Sequence, residues 1–369
     1  MTSRERYLNT LLFKPADRIP LIEWPIRGAT MKAWIKQGYP EGVPTECFFA
    51  LDTMHLDVPI RMGMYPEFKE IVIEETQSYK IWQDNLGATR KDFKEVENEG
   101  FVTRSWLSFP VTDKTGFLEM KKRYISSDPG RIPEHFNERC QVLNAAQVQN
   151  HLSIPFLFWV IRDWVGFENL CMMFYDNPKL LHEMFEFLTD FCIETLKDKI
   201  HKINIDIVEL KEDMAYKHAP MISPDMFREF MYPHYLRLVN FLKSNGVKIV
   251  YVDCDGYPGG LIPLWIETGI DAMSPVEVAA GNDLIKLRKE YPKFAMLGGI
   301  DKRELAKTKP EVYDEVVKKV PYMIEKGGYI PHVDHAVPFD IPLENYMYYR
   351  DLMTALVNGE TLPGPKDVN

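Results

Sequence analysis

Ile249-Val-Tyr-Val-Asp-Cys-Asp-Gly256 is an apolar, β-branched run that ends abruptly in two carboxylates and a glycine. Two other segments share its form, Asp206-Ile-Val-Glu-Leu-Lys-Glu-Asp213 and Gly328-Tyr-Ile-Pro-His-Val-Asp-His335. Each reads as a buried strand whose end carries acids or histidines. Charged groups so placed are costly to bury unless they bind a metal, a proton or a ligand. Where strands and helices alternate, the carboxyl ends of parallel strands face one mouth, so distant segments meet there. The three strand ends therefore predict a shared active site.

Further apolar runs at Ile19 to Trp24, Pro155 to Val160, Ala272 to Pro275 and Phe294 to Gly298 predict more strands. Helix-period stretches lie between the later ones. They open on start signals, Asp176-Asn177-Pro178 before residues 179–203 and Ser223-Pro224-Asp225 before residues 226–245. Leu181, Met184, Phe185, Leu188, Phe191, Cys192, Ile193 and Leu196 keep one helical stripe apolar, which predicts core packing. Repeated β/α units with no GxGxxG at the first helix predict an α/β fold, a (β/α)8 TIM barrel, rather than a dinucleotide-binding sheet. The rhythm breaks at residues 58–107, where Ile71-Val-Ile-Glu-Glu75 and Tyr79-Lys-Ile-Trp82, with Gly87 and Gly100, read as strands joined by turns. This stretch is expected to be an antiparallel β insertion near the N-terminus that covers part of the barrel mouth. With no repeat or low-complexity linker, residues 1–369 are expected to form a single domain.

A net charge of −10 and the lack of a Lys/Arg cluster argue against nucleic acid as a partner. The five cysteines are odd in number and lack CxxC spacing, so a disulfide framework is not expected and a reducing cytoplasm fits. The N-terminus has no apolar signal core, and no run approaches the ~18 apolar residues of a membrane span. A cytoplasmic protein with no membrane partner is expected, and nothing in the sequence argues against a homodimer.

Four segments carry a family resemblance: the opening Arg4-Glu-Arg-Tyr-Leu-Asn-Thr-Leu-Leu-Phe-Lys-Pro-Ala-Asp-Arg-Ile-Pro20, Gly166-Phe-Glu-Asn169, Ser223-Pro-Asp-Met-Phe-Arg-Glu-Phe-Met-Tyr-Pro233 and Pro338-Phe-Asp-Ile-Pro-Leu-Glu-Asn345. Through them nearly the whole chain resembles the uroporphyrinogen decarboxylase superfamily, which also contains corrinoid-linked methyltransferases. The resemblance implies a barrel with its active site at the strand C-termini. True uroporphyrinogen decarboxylases carry an Arg-Gln-Ala-Gly-Arg-Tyr motif whose two arginines hold the substrate carboxylates. The matching stretch here, Ile22-Glu-Trp-Pro-Ile-Arg-Gly-Ala-Thr30, has one arginine, Arg27, and an acid, Glu23. A poly-carboxylate needs several fixed cations, so heme biosynthesis is disfavoured. The superfamily's coenzyme M methyltransferases hold zinc through a His-x-Cys pair and a later Cys. Alignment places Asp253 and Asp255 at the pair and His335 at, or within a residue or two of, the later Cys. That harder donor set suits an oxygen-bearing substrate better than a thiol.

The remaining branch is similar to methyltransferases of anaerobic O-demethylase systems. There a Co(I) corrinoid on a partner protein takes a methyl group from a small-molecule methyl ether or amine. An ether oxygen leaves far more readily when protonated or bound by a Lewis acid, so a general acid or a zinc ion is expected beside it. Asp253, Asp255 and His335 lead as catalytic residues and as metal ligands, with Glu212 and Glu209 next. Glu23, Trp24, Arg27, Trp159, Tyr216, His218 and His332 are candidates for substrate contact. Each has a structural alternative: Glu209 and Asp213 as caps or ion pairs, His332 as a satisfied core histidine, Cys254 as packing. The competing function is a decarboxylase acting on a carboxylic acid held by Arg27 or Arg162. A non-catalytic binding role would leave the mouth's acids and histidines without a purpose.

Overall fold

The computed structural model describes residues 1–24, 26–94 and 104–364. Eleven strands are found among them. Five come early: β1 (Leu56–Asp57), β2 (Ile71–Glu75), β3 (Tyr79–Gln83), β4 (Thr89–Phe93) and β5 (Arg104–Ser108). The others are β6 (Asn150–Pro155), β7 (Ile207–Lys211), β8 (Ile249–Asp253), β9 (Ala272–Val276), β10 (Ala295–Gly298) and β11 (Tyr329–Ile330). They form two sheets. One is parallel, in the order β1-β6-β7-β8-β9-β10-β11, and the other is an antiparallel meander, β2-β3-β4-β5. Consecutive neighbours joined through helices curl the parallel sheet into a TIM-barrel-like wall, as expected.

Side-chain parity separates the two faces of the wall. Ile207, Ile249, Tyr251, Ala272, Ala295, Leu297 and Ile330 meet in one cluster inside it. Their strand neighbours Val208, Leu210, Val250, Val252, Met273 and Met296 pack outward with the helices. Both faces are buried, which is why these strands read as continuous apolar runs. The helix Ser3–Leu11, opened by a Thr2/Glu5 capping box, adds Tyr7 and Leu11 to the inner cluster. It is anchored by Arg4, whose guanidinium donates to Asp206 Oδ1 just before β7.

Residues 19–24 close the gap between β11 and β1 without a regular ladder. Ile22 joins the inner cluster, the Leu21 carbonyl accepts the Asp52 N–H at 2.8 Å, and the Val333 N–H donates to the Glu23 carboxylate. The expected first strand is thus extended but stitched in part by a side chain. Pro20 removes a ladder donor within it.

The segment Pro155 to Val160, expected as a strand, is a correction. The strand is Asn150–Pro155, and Leu157–Val165 is a helix. Polar Asn150, His151 and Ser153 hide the strand, while Leu157, Phe158, Val160, Ile161, Trp164 and Val165 make a helix that is buried nearly all round. Such short apolar runs do not distinguish strand from helix. The antiparallel sheet occupies Ile71–Ser108 within and just past the expected insertion, whose residues 95–103, including Gly100, lie outside the described residues. Among the described residues, no helix is long and apolar enough to cross a membrane.

Candidate active site

Strand parity carries Asp253 into the barrel interior, because Ile249 and Tyr251 already point there. Glu209 enters from β7, where its carboxylate accepts the Tyr251 hydroxyl at 2.8 Å and lies 3.7 Å from Lys211 Nζ. The Asp253 carboxyl receives no hydrogen bond from any described residue. Burial first, then repulsion from Glu209, Asp213 and Asp255, holds its carboxyl well above the usual range; Lys211 opposes the shift.

Past the strand end the chain turns at Gly256, with φ +83. A Cβ there would lie 2.8 Å from the Tyr216 carbonyl, so a residue without one is required where the two loops meet. Asp255 is thereby set between two elements. Its N–H donates to Asp213 Oδ1 at 3.1 Å, and its Oδ2 pairs with His335 Nε2 at 3.0 Å. That hydrogen bond raises the His335 pKa, against burial and the charges of Lys302 and Arg27. Asp213, in the left-handed region at φ +41, is raised by burial and then by Asp255. Its carbonyl accepts Arg162 Nη1 at 2.9 Å. Cys254 points into the outer packing, where burial pushes its thiol up.

The structure thus brings Asp253, Asp255, His335 and Glu209 to one region, with Asp213 beside them. Glu212 is close in sequence but turned to the wall. Its Oε2 accepts the N–H groups of Phe158 (2.7 Å) and Trp159 (3.3 Å), and its Oε1 accepts the Tyr235 hydroxyl at 2.5 Å. Glu23 is buried and accepts from Trp24, Val333 and Tyr346. Burial raises it to about 7 against the nearby Arg350 charge. His332 is buried and neutral: Trp24 Nε1–H donates to its Nε2 at 3.3 Å, its Nδ1–H donates to the Val333 carbonyl at 2.7 Å, and burial lowers it to about 4. Trp159 lies on the helix after β6, half-buried under the Arg162 guanidinium. Tyr216 and His218 are exposed on the loop after β7, with their rings edge to face at 6.5 Å. Arg27 opens the helix Gly28–Lys36 and lines a cavity of about 260 Å³ with Lys302, Arg303 and His335.

The zinc that the resemblance implies does not fit the expected trio as it stands. Asp255 and His335 bond directly to each other, and Asp253 does not complete with them a grouping whose donors all lie within 4.8 Å. Among the described residues one such grouping occurs: His55 just before β1, Asp57 on β1 and His151 on β6. It escapes the sequence reading because β1 is only two residues long. The available signal is His55-x-Asp57, a spacing that puts both side chains on one face of an extended segment. Its third member needs the β1 to β6 register, which pairs Asp57 with His151.

The family model described as uroporphyrinogen decarboxylase (URO-D) matches residues 160–356. The uroporphyrinogen decarboxylase of Campylobacter concisus is 23% identical over 181 residues, covering 48% of this chain and 49% of that protein. The chloroplastic uroporphyrinogen decarboxylase of Nicotiana tabacum is 24% identical over 229 residues, covering 59% and 55%. The chain spans about half the length of the curated relatives it matches. A solved structure of a methyltransferase from Methanosarcina mazei superposes with a TM-score of 0.62 over 96% of this chain and 100% of that chain, at 15% identity. That likeness is one of fold.

Proposed function

We propose that this chain, which belongs to the uroporphyrinogen decarboxylase family, moves a methyl group from a methoxylated or otherwise methylated small molecule to a Co(I) corrinoid on a partner protein. The observation that carries the reading is Asp253, a carboxyl at the inward-facing end of β8 that receives no hydrogen bond from a described residue, beside Glu209, Asp213 and Asp255; burial together with their charges pushes it toward the acid form. The reduced corrinoid supplies the nucleophile and accepts the methyl group. As the methyl to oxygen bond breaks, its electron pair stays on oxygen and the Asp253 proton moves to that oxygen. The products are a neutral alcohol or phenol and an Asp253 carboxylate, which takes its proton back from solvent. In this reading that return runs through Asp255 and His335, which are hydrogen-bonded to each other and part-exposed. General acid assistance of this kind contributes ~10²- to 10⁴-fold.

The same acids argue against a poly-carboxylate substrate. Asp213, Asp253 and Asp255 crowd the mouth, while Lys302 is already shared by Glu277 and Asp334. The names of the relatives, of whose length the match covers about half, favour a second reading, decarboxylation of a carboxylic acid at Arg27 or Arg162. Arg162 is already engaged with the Asp213 carbonyl and the Trp159 ring.

The deciding experiment is an anaerobic assay with a reduced corrinoid carrier and a panel of methoxyarenes and methylamines, following the change from Co(I) to methyl-Co(III). Methylation is the expected result. Silence across the panel together with carbon dioxide release from uroporphyrinogen or a smaller acid would overturn it in favour of the decarboxylase.

A further inference from the structure

The methyl-transfer reading makes no use of His55, Asp57 and His151, and we propose that these residues form a binding site for a divalent transition metal of the zinc class. One coordination position is left open on the exposed side of Asp57 for a water or a substrate oxygen. The ligands are His55 Nε2, an Asp57 carboxylate oxygen and His151 Nδ1.

The backbone assembles the cluster. The Leu56 N–H donates to the Gln149 carbonyl at 2.9 Å and the Val58 N–H to the His151 carbonyl at 2.8 Å, which fixes Asp57 opposite His151. The Gln149 side-chain amide also donates to the Met54 carbonyl, holding the approach to His55. His55 Nε2 lies 3.3 Å and His151 Nδ1 3.8 Å from Asp57 Oδ1, and the two imidazoles stack with centroids 4.2 Å apart.

Two features of His151 point to a ligand. It is 5% exposed, yet its Nδ1 is buried without a hydrogen-bond partner. Its other nitrogen fixes which tautomer is present. The Tyr251 hydroxyl donates its proton to Glu209 at 2.8 Å, so toward His151 Nε2, 3.3 Å away, its oxygen acts as acceptor. His151 therefore carries its proton on Nε2, and the Nδ1 lone pair faces Asp57. A ligating histidine whose second N–H is given to an oxygen backed by a carboxylate is the usual outer support of a protein metal site.

Two imidazoles and a carboxylate suit zinc, and three protein ligands with a fourth position open is the pattern of a reactive site rather than a purely structural one. Tetrahedral zinc asks for donors about 3.3 Å apart, so the cluster must draw in by roughly 1 Å, which the exposed Asp57 and the partly exposed His55 can supply. Glu209 stands between this cluster and Asp253. A cation bound here would lie toward the amino ends of the strands, level with Ile207 and Ile249, while Asp253 lies at their carboxyl ends.

The test uses the full-length chain without a histidine tag, stripped with a chelator and titrated with Zn²⁺ and with Co²⁺. Metal content is read after gel filtration and the Co²⁺ adduct by its visible absorption. The expected result is one ion per chain with the intense bands of a four-coordinate site. Asp57→Ala and His55→Ala, both at partly or largely exposed positions and checked for native circular dichroism, lose it. Glu209→Gln weakens it by ~10- to 100-fold, and the double variant Asp255→Asn/His335→Gln keeps it. No ion above the stripped level would overturn the proposal. So would an ion retained by Asp57→Ala and His55→Ala, or one lost only in the Asp255/His335 variant.

Discussion

Glu212 and Asp253 stand at the carboxyl ends of adjacent strands, and burial raises both, yet they are surrounded in opposite ways. Glu212 faces the wall. Three donors converge on it, two of them first-turn amides of the helix Leu157–Val165 that have no partner inside their own helix. Asp253 faces the interior, where three carboxylates outweigh the Lys211 cation and no described residue donates to it. Asp334 repeats the Glu212 pattern, accepting the amides of Val278, Ala279 and Lys302. A raised acid is therefore not by itself a sign of chemistry. Saturation by fixed donors marks an architectural carboxylate, and its absence marks one available to a substrate.

The largest consequence is catalytic. Asp253→Asn keeps the size of the side chain but removes the transferable proton, and it should lower the single-turnover rate of corrinoid methylation by ~10²- to 10⁴-fold with the fold intact. A rate within twofold of the parent would break the contrast and pass the acid role to Asp213 or His335. On the wall side the expected loss is in stability. Glu212→Ala strands a tyrosine hydroxyl and two amides in the core and should cost about 3 kcal/mol in urea unfolding.

A subtler effect follows from the charges around Asp253. Asp255 repels its carboxylate form, so Asp255→Asn should lower the Asp253 pKa. Activity that depends on the protonated acid falls as pH rises through that pKa. The alkaline limb of kcat/KM should therefore move to lower pH in Asp255→Asn. A limb that stays in place would show that Asp253 is not the group being titrated.

How much of this was legible in the sequence follows from where apolar pattern and chemistry coincide. The ends of β7, β8 and β11 were visible because continuous apolar strands stop there and charge begins. The inner and outer faces of β8 followed from alternation, which placed Asp253 inward and Cys254 outward. β6 was hidden because its inward positions are His151 and Ser153, polar residues that break the pattern a strand is recognised by. The role of Glu212 was equally hidden, since its partners Phe158, Trp159 and Tyr235 come from two distant helices and no local spacing announces them. The same holds for Glu23, whose donors include Tyr346 from the last helix.

The smallest effect sharpens the contrast from the wall side. Glu212 has a folded pKa of about 8, above its unfolded value near 4.5, with burial as the main cause. The folded state thus holds a proton that the unfolded state has released between those two values. Stability from this group is fully present below about 4.5, declines as pH rises, and is gone once pH passes about 8. Glu212→Gln cannot ionise and still offers an oxygen to the two helix amides and an N–H to Tyr235. Its thermal midpoint should therefore fall less steeply than the parent's between pH 5 and 8, a window read by differential scanning fluorimetry at constant ionic strength. Parallel slopes would mean that Glu212 stays ionised in the fold and that its three donors outweigh burial. Asp253→Asn offers the complementary reading, because a carboxyl without donors has no hydrogen-bonding network to lose.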